Sequence, residues 1–366
     1  MKYSKLLLVV CVLLAVSAST AFAADMTSSL KSGKAELKSA AALAFGPDGV
    51  LFIGDALGAT IYAVDTADRT PAGKAASLDL QGVNEKAAAL LGTTPDQILV
   101  TDMAVNPISH KAYLSVSRGR GPDAIPVILR VNTAGKIEAL SLDGVKHSKV
   151  ALPNAPADTK DARGQSRRVE AITDMAFVDG RVFVAGIANE DFSSNLRAIP
   201  YPFQESSMGT NIEIYHGSHG RFETNAPIRT FVAYKIKDQE NILAAYTCSP
   251  LVAIPVTDLR PGVKVLGKTI AELGNRNRPL DMIVYRKDGK DWILLNNSSR
   301  GVMKVSTENL DSFPAIKAHT ETAGVPYTTI ESLKGVQHLD RLNDTSALLL
   351  VRSESGSLDL KTVALP

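Results

Sequence analysis

The chain runs to 366 residues, of which 45% are hydrophobic and 21% charged, with a formal net charge of +2 and two cysteines. This is ordinary globular composition, and the absence of any basic tract excludes nucleic acid and anionic membrane as partners.

Residues 1–23 read as a cleavable export signal. Lys2 and Lys5 form its basic start, an apolar stretch runs from Leu6 to Val16, and Ala21-Phe22-Ala23 has the small-x-small pattern cut before Ala24. The apolar stretch falls short of the ~20 residues a membrane span needs, so no membrane insertion is expected after cleavage. The remaining chain, 24–366, is expected to be one domain, periplasmic or secreted. Loss of the two lysines takes its net charge to zero. Cys11 leaves with the signal, so Cys248 has no partner for an internal disulfide.

Beyond the signal the chain reads as short alternating apolar stretches broken by Gly, Asp, Asn and Pro, the pattern of an all-β protein. A repeat runs through it. Thr101-Asp102-Met103-Ala104-Val105, Thr173-Asp174-Met175-Ala176-Phe177 and Leu280-Asp281-Met282-Ile283-Val284 are each followed by a turn, a second apolar strand and a third. Three more copies align with these, so that starts fall near residues 42, 102, 174, 229, 281 and 338. Antiparallel repeats at this spacing predict a β-propeller. Six blades are expected. Seven is the alternative count, because the fourth strand is poorly marked in several copies, and a sandwich of unrelated strands is the other arrangement. The last copy ends after its third strand, and Lys34 to Lys38 is expected to supply the fourth and close the ring. Asn84 to Leu91 reads as a short helix, and Leu152 to Gln165 as a Pro-, Asp- and Lys-rich loop.

The first copy, Leu43-Ala44-Phe45-Gly46-Pro47-Asp48-Gly49-Val50-Leu51-Phe52-Ile53-Gly54-Asp55 followed by Ile61-Tyr62-Ala63-Val64-Asp65, resembles a blade of the NHL-repeat and SMP-30/gluconolactonase-like propellers. The resemblance implies the propeller fold. As an activity it implies metal-dependent hydrolysis of an ester or lactone, in which the metal polarises the carbonyl and His338 or an aspartate such as Asp281 activates water. The axial glutamate and asparagine ligands of such enzymes have no counterpart in register, although Glu170 and Asn277 fall close by.

In a propeller the first strand of each blade lines the central channel. The aligned starts therefore predict a ring of Ala42, Asp102, Asp174, Arg229, Asp281 and His338 at one channel mouth. The loops expected on that face add Asn277 and Arg300. Charges among apolar neighbours cost several kcal/mol each unless paired, hydrated or metal-bound. Three readings stay open. Asp102, Asp174 and Asp281 hold a divalent metal, Ca²⁺ or Mg²⁺. The ring with Arg229 and His338 orients a small polar ligand. Or the aspartates are structural, accepting backbone amides in a scaffold that offers its top face to a protein partner.

A second metal arrangement lies elsewhere. His216 and His219 form an H-x-x-H pair in the Gly-rich segment Tyr215 to Arg221, and Cys248 falls in a neighbouring loop of the register. Two imidazoles and a thiol suit Cu or Zn.

Overall fold

The computed structural model describes residues 25–366 apart from 74–75, 122, 161–163, 165, 191 and 249, so the expected signal lies outside the described residues. The described residues form six sheets, antiparallel apart from the parallel pairing of Thr210–His216 with Lys264–Leu266, arranged as the blades of a propeller. Their innermost strands are Leu43–Phe45, Ile98–Val105, Asp174–Val178, Ile228–Ile236, Pro279–Lys287 and Val336–Arg341. Tight hairpins join several of these to the second strands. Asp179-Gly180 and Asp288-Gly289 each place two consecutive residues at positive φ. That is the requirement of a two-residue type I′ turn, whose twist matches the flanking strands. The second strands are sandwiched between neighbouring sheets. Val50–Asp55 is accordingly buried at every position, a continuous run rather than an alternation.

Six apolar clusters fill the wedges between sheets and reveal the order of the blades. Phe52 and Ile61 of the first blade pack on Ile172 and Val184 of the third. Leu51 and Ile53, on the first blade's other face, pack on Tyr113 and Ile128 of the second. Leu114 and Leu129 of the second blade pack on Leu348 and Leu350 of the sixth. The third, fourth, fifth and sixth blades follow in sequence. In chain numbering the spatial order is therefore 2-1-3-4-5-6, closed by the contact of blade six with blade two.

The reversal has a covalent cause. After its third strand, Thr60–Asp65, the first blade is interrupted by the helix Val83–Leu91 and the whole second blade, and only then completed by Val145–Ala151. Blade two is thus nested inside blade one.

The N-terminal strand does cover a sheet edge, but not the one expected. Lys31–Gly33 pairs with Val145–Ala151 on the outer side of blade one, and residues 34–38 are not in a strand. The last blade keeps three strands, and its outer edge is met by Leu80, which exchanges backbone hydrogen bonds with Leu360 at 3.0 and 2.8 Å. Leu80 precedes the helix that introduces blade two, so this bridge ties the insertion to the ring's closing contact. The predicted helix is observed at Val83–Leu91.

Candidate functional site

The repeated Thr-Asp pair at the start of the inner strands is a two-point clasp between blades. The Thr101 hydroxyl donates to the Ala40 carbonyl oxygen at 2.7 Å, while Asp102 Oδ2 accepts the Leu43 amide at 2.6 Å. The Thr173 hydroxyl donates to the Ile228 carbonyl at 2.6 Å, and Asp174 Oδ2 accepts the Phe231 amide at 2.8 Å. Asp281 Oδ2 accepts the Leu339 amide at 3.0 Å. Each aspartate reaches forward to the next blade in the spatial order: two to one, three to four, five to six. A fourth aspartate that the repeat alignment missed, Asp340, closes the ring by accepting the Val105 amide at 2.7 Å. It sits two residues beyond His338, on the same face of its strand.

The register corrects one ring position. A bulge between Ile228 and Thr230 puts Thr230, not Arg229, at the axial place of blade four. Arg229 turns aside to Glu170, with Nη2 2.7 Å from Oε1, and donates from Nε to the Thr247 hydroxyl at 2.8 Å. Ala42 is buried in the apolar wedge between blades one and three and does not line the cavity.

His338 stands between two of the aspartates. Its Nδ1 is 3.2 Å from Asp281 Oδ2 and 3.7 Å from Asp102 Oδ1, and these three residues are close enough to share one ion. Their side chains keep 14 to 16% exposure, while the His338 Nδ1 atom itself is buried. The electrostatics follow from that partial burial. Desolvation, reinforced by the Asp281 charge, pushes Asp102 up to about 7. Desolvation and the Asp102 charge hold Asp174 well above the usual carboxylate range. Burial lifts Asp340 to about 6. Burial opposes the charge on His338, but Asp281 and Asp102 outweigh it and raise the imidazole to about 9. At neutral pH His338 is therefore an imidazolium, able to donate a proton or a hydrogen bond but not to accept a proton.

The four aspartates, but not His338, line the inner end of a cavity of about 1100 Å³ that follows the propeller axis. Asp102, Asp174, Asp281 and Asp340 all line it, between apolar walls that include Met103, Met175, Phe177, Phe231 and Ile283. Its far end reaches the turns joining first to second strands, at Pro107, Ile108 and Asn343 to Thr345. The mouth expected from the sequence lies at the opposite face. Among the described residues, none of the loop candidates there lines the cavity. Asn277 is buried and donates to Asn297 at 2.7 Å. Arg300 donates to the Asn275 carbonyl at 3.1 Å.

The second predicted arrangement does assemble. His216, His219 and Cys248 each bring one ligand atom within 4.8 Å of the others. Desolvation holds His216 below the ordinary histidine range against the pull of Glu223, so its neutral form prevails. The residue that sequence reasoning misses is Glu223, which the strand Arg221–Glu223 folds back beneath both imidazoles.

No protein-family model matches the chain, and no curated protein matches it. Solved structures do. They include Drosophila Plexin A in complex with Semaphorin 1b, at 11% identity and a TM-score of 0.39 over 91% of this chain and 86% of that one. A putative oxidoreductase (glucose dehydrogenase) from Thermus thermophilus matches at 11% identity and a TM-score of 0.36, over 91% and 100%. A gluconolactonase from Xanthomonas campestris matches at 10% identity and a TM-score of 0.31, over 91% and 89%. Similarity at this level bears on neither activity nor ligand, and the propeller assignment stands on the strand pairing and blade order of this chain.

Proposed function

We propose that the chain is an exported binding protein that holds a small polar ligand, carrying positive charge or several hydrogen-bond donors, in the axial cavity. One observation carries the reading: four carboxylates line the inner end of a roomy cavity, and little cationic charge faces them. His338 is shared between Asp281 and Asp102, and Arg341 at the rim is already engaged by Asp344 at 2.6 Å. Carboxylates in that position stay partly protonated until a cationic or donor group arrives, so such a ligand relieves the desolvation cost. The apolar walls suit the body of the same molecule.

A hard metal ion fits these residues less well. The Asp102 and Asp174 oxygens each already accept a backbone amide, Oδ1 from Met103 and Met175 and Oδ2 from Leu43 and Phe231. The His338 imidazole stands between Asp102 and Asp281 and gives that trio a nitrogen donor, where Ca²⁺ and Mg²⁺ favour oxygen. A hydrolytic role for the site is the second reading. It is favoured by the 3.2 Å contact of Asp281 with His338, an acid–base pair beside the cavity.

Native mass spectrometry of the full-length chain, purified without chelator, tests the proposal. An organic adduct lost in Asp174→Asn supports it. A calcium or magnesium adduct moves the reading to the metal. No adduct, together with no thermal shift on adding amines, polyols, Ca²⁺ or Mg²⁺, overturns both. Turnover of aryl esters or lactones abolished by His338→Gln would establish the hydrolytic reading.

A further inference from the structure

Away from the axis, between blades three and four, a compact polar cluster has a geometry that the axial cavity does not use. His216 ends the strand Thr210–His216, and His219 ends the single helical turn Gly217–His219 that follows. The turn brings the two rings together, with centroids 3.8 Å apart and planes inclined by 32°. One carboxylate holds both. Glu223 Oε2 lies 2.7 Å from His216 Nδ1 and Oε1 lies 2.6 Å from His219 Nδ1. Arg221 Nε also lies 3.2 Å from Oε1.

With both Nδ1 atoms on Glu223, the Nε2 atoms are the ones left to act. His216 is 2% exposed, and its Nε2 is buried without a hydrogen-bond partner. An orphaned buried nitrogen is destabilising unless something occupies it. His219 Nε2 lies 3.9 Å from Cys248 Sγ, a free thiol. Cys248 is held there at φ +75°, in the left-handed region, with its amide donating to the Asn277 carbonyl at 2.6 Å. A β-carbon residue in that conformation is uncommon and is maintained by its surroundings.

We propose that His216 Nε2, His219 Nε2 and Cys248 Sγ bind one zinc or copper ion, with Glu223 as the positioning residue for both imidazoles. A carboxylate on the far nitrogen of each histidine fixes tautomer and ring orientation and raises ligand basicity, as in well-formed metal sites. A neutral-imidazole pair with a thiolate is a borderline-to-soft donor set that selects zinc and copper over calcium and magnesium. Three protein atoms leave a further coordination position for water or a substrate atom. The site is separate from the axial carboxylates and stands whether or not they bind a ligand.

The test uses the full chain purified without chelator or immobilised nickel. Elemental analysis is expected to find zinc or copper close to one ion per chain, and the metal recovered identifies which. After stripping, titration with CoCl₂ is expected to produce a thiolate-to-cobalt charge-transfer absorption that Cys248→Ser abolishes. His219→Ala should weaken cobalt binding at least tenfold. Glu223→Gln should weaken it about 10- to 100-fold while retaining the charge-transfer band. His216 is too deeply buried to vary alone, so the exposed-side variants carry the test, with circular dichroism confirming their fold. Equal metal content and equal cobalt spectra in the unaltered chain and in a Cys248→Ser/His219→Ala variant would overturn the proposal, as would the absence of any cobalt absorption.

Discussion

Asp174 accepts the Phe231 amide at 2.8 Å from the neighbouring blade while its other oxygen takes the amide of Met175 at 2.7 Å. One carboxylate thus anchors two inner strands and faces the axial cavity with what capacity remains. Substitution separates the two roles. Asp174→Ala leaves the Phe231 amide unsatisfied and is expected to lower stability by about 1–3 kcal/mol. Asp174→Asn keeps an acceptor and removes a charge that burial disfavours, so above neutral pH it should be close to neutral or stabilising. Urea unfolding of both variants at pH 8 checks the pair, and equal losses would refute the assignment.

The axial groups also set an unusual pH dependence. Asp102 near 7, Asp340 near 6, Asp174 above its usual range and His338 near 9 are all raised relative to the unfolded chain. In each case the native state binds the proton more tightly. The stabilisation is complete below the unfolded value and is lost as pH rises through the folded one. For Asp102 and Asp340 the loss spans the range from the ordinary carboxylate value up to about 7 and 6. For His338 it spans from about 6.5 to about 9. Stability is expected to fall by about 1–3 kcal/mol between pH 6 and pH 9. His338→Gln should flatten the upper part of that profile. Urea midpoints that rise over the same range would contradict the picture.

Spacing alone puts Arg229 on the axial ring, and the bulge moves it to Glu170. Arg229→Ala should therefore cost about 1–2 kcal/mol of stability from a partly buried pair while leaving axial ligand binding unchanged. Thr230→Val, by contrast, removes a hydroxyl beside Asp174 and should alter ligand affinity. Parallel calorimetry on the two variants distinguishes them.

Leu80 guards the outer edge of the sixth blade. Leu80→Pro removes one of its two hydrogen bonds to Leu360 and is expected to cost about 1–3 kcal/mol, with faster amide exchange along Leu358–Ala364. Exposure of that edge should also increase self-association at high concentration, read by light scattering.

Much of the fold is legible in the residues. Thr101-Asp102-Met103 and Thr173-Asp174-Met175 repeat because the same clasp is made twice, and that repetition marks the blades. What a linear pattern does not carry is which neighbour a blade packs against. Val145–Ala151 follows the second blade in sequence, yet it completes the first. The bulge at Ile228–Thr230 is equally silent, because the one extra residue that moves Arg229 off the axis leaves the strand's apolar run unbroken. The H-x-x-H pair is visible in the sequence, but Glu223 is not. Its role depends on the hairpin that folds Arg221–Glu223 back on His216, a tertiary fact with no spacing rule behind it.

The nesting of blade two within blade one has a consequence for how the chain is made. A polypeptide emerging amino terminus first presents the three strands Leu43–Phe45, Val50–Asp55 and Thr60–Asp65, then must wait until residue 151 before the sheet's fourth strand exists. Throughout that interval the edge of Thr60–Asp65 is unpaired while a complete second blade is being synthesised. For a chain exported as proposed, this long-lived open edge falls within translocation itself. The first two blades are therefore interlocked along the chain, and the sheet of blade one is complete only after that of blade two has been made.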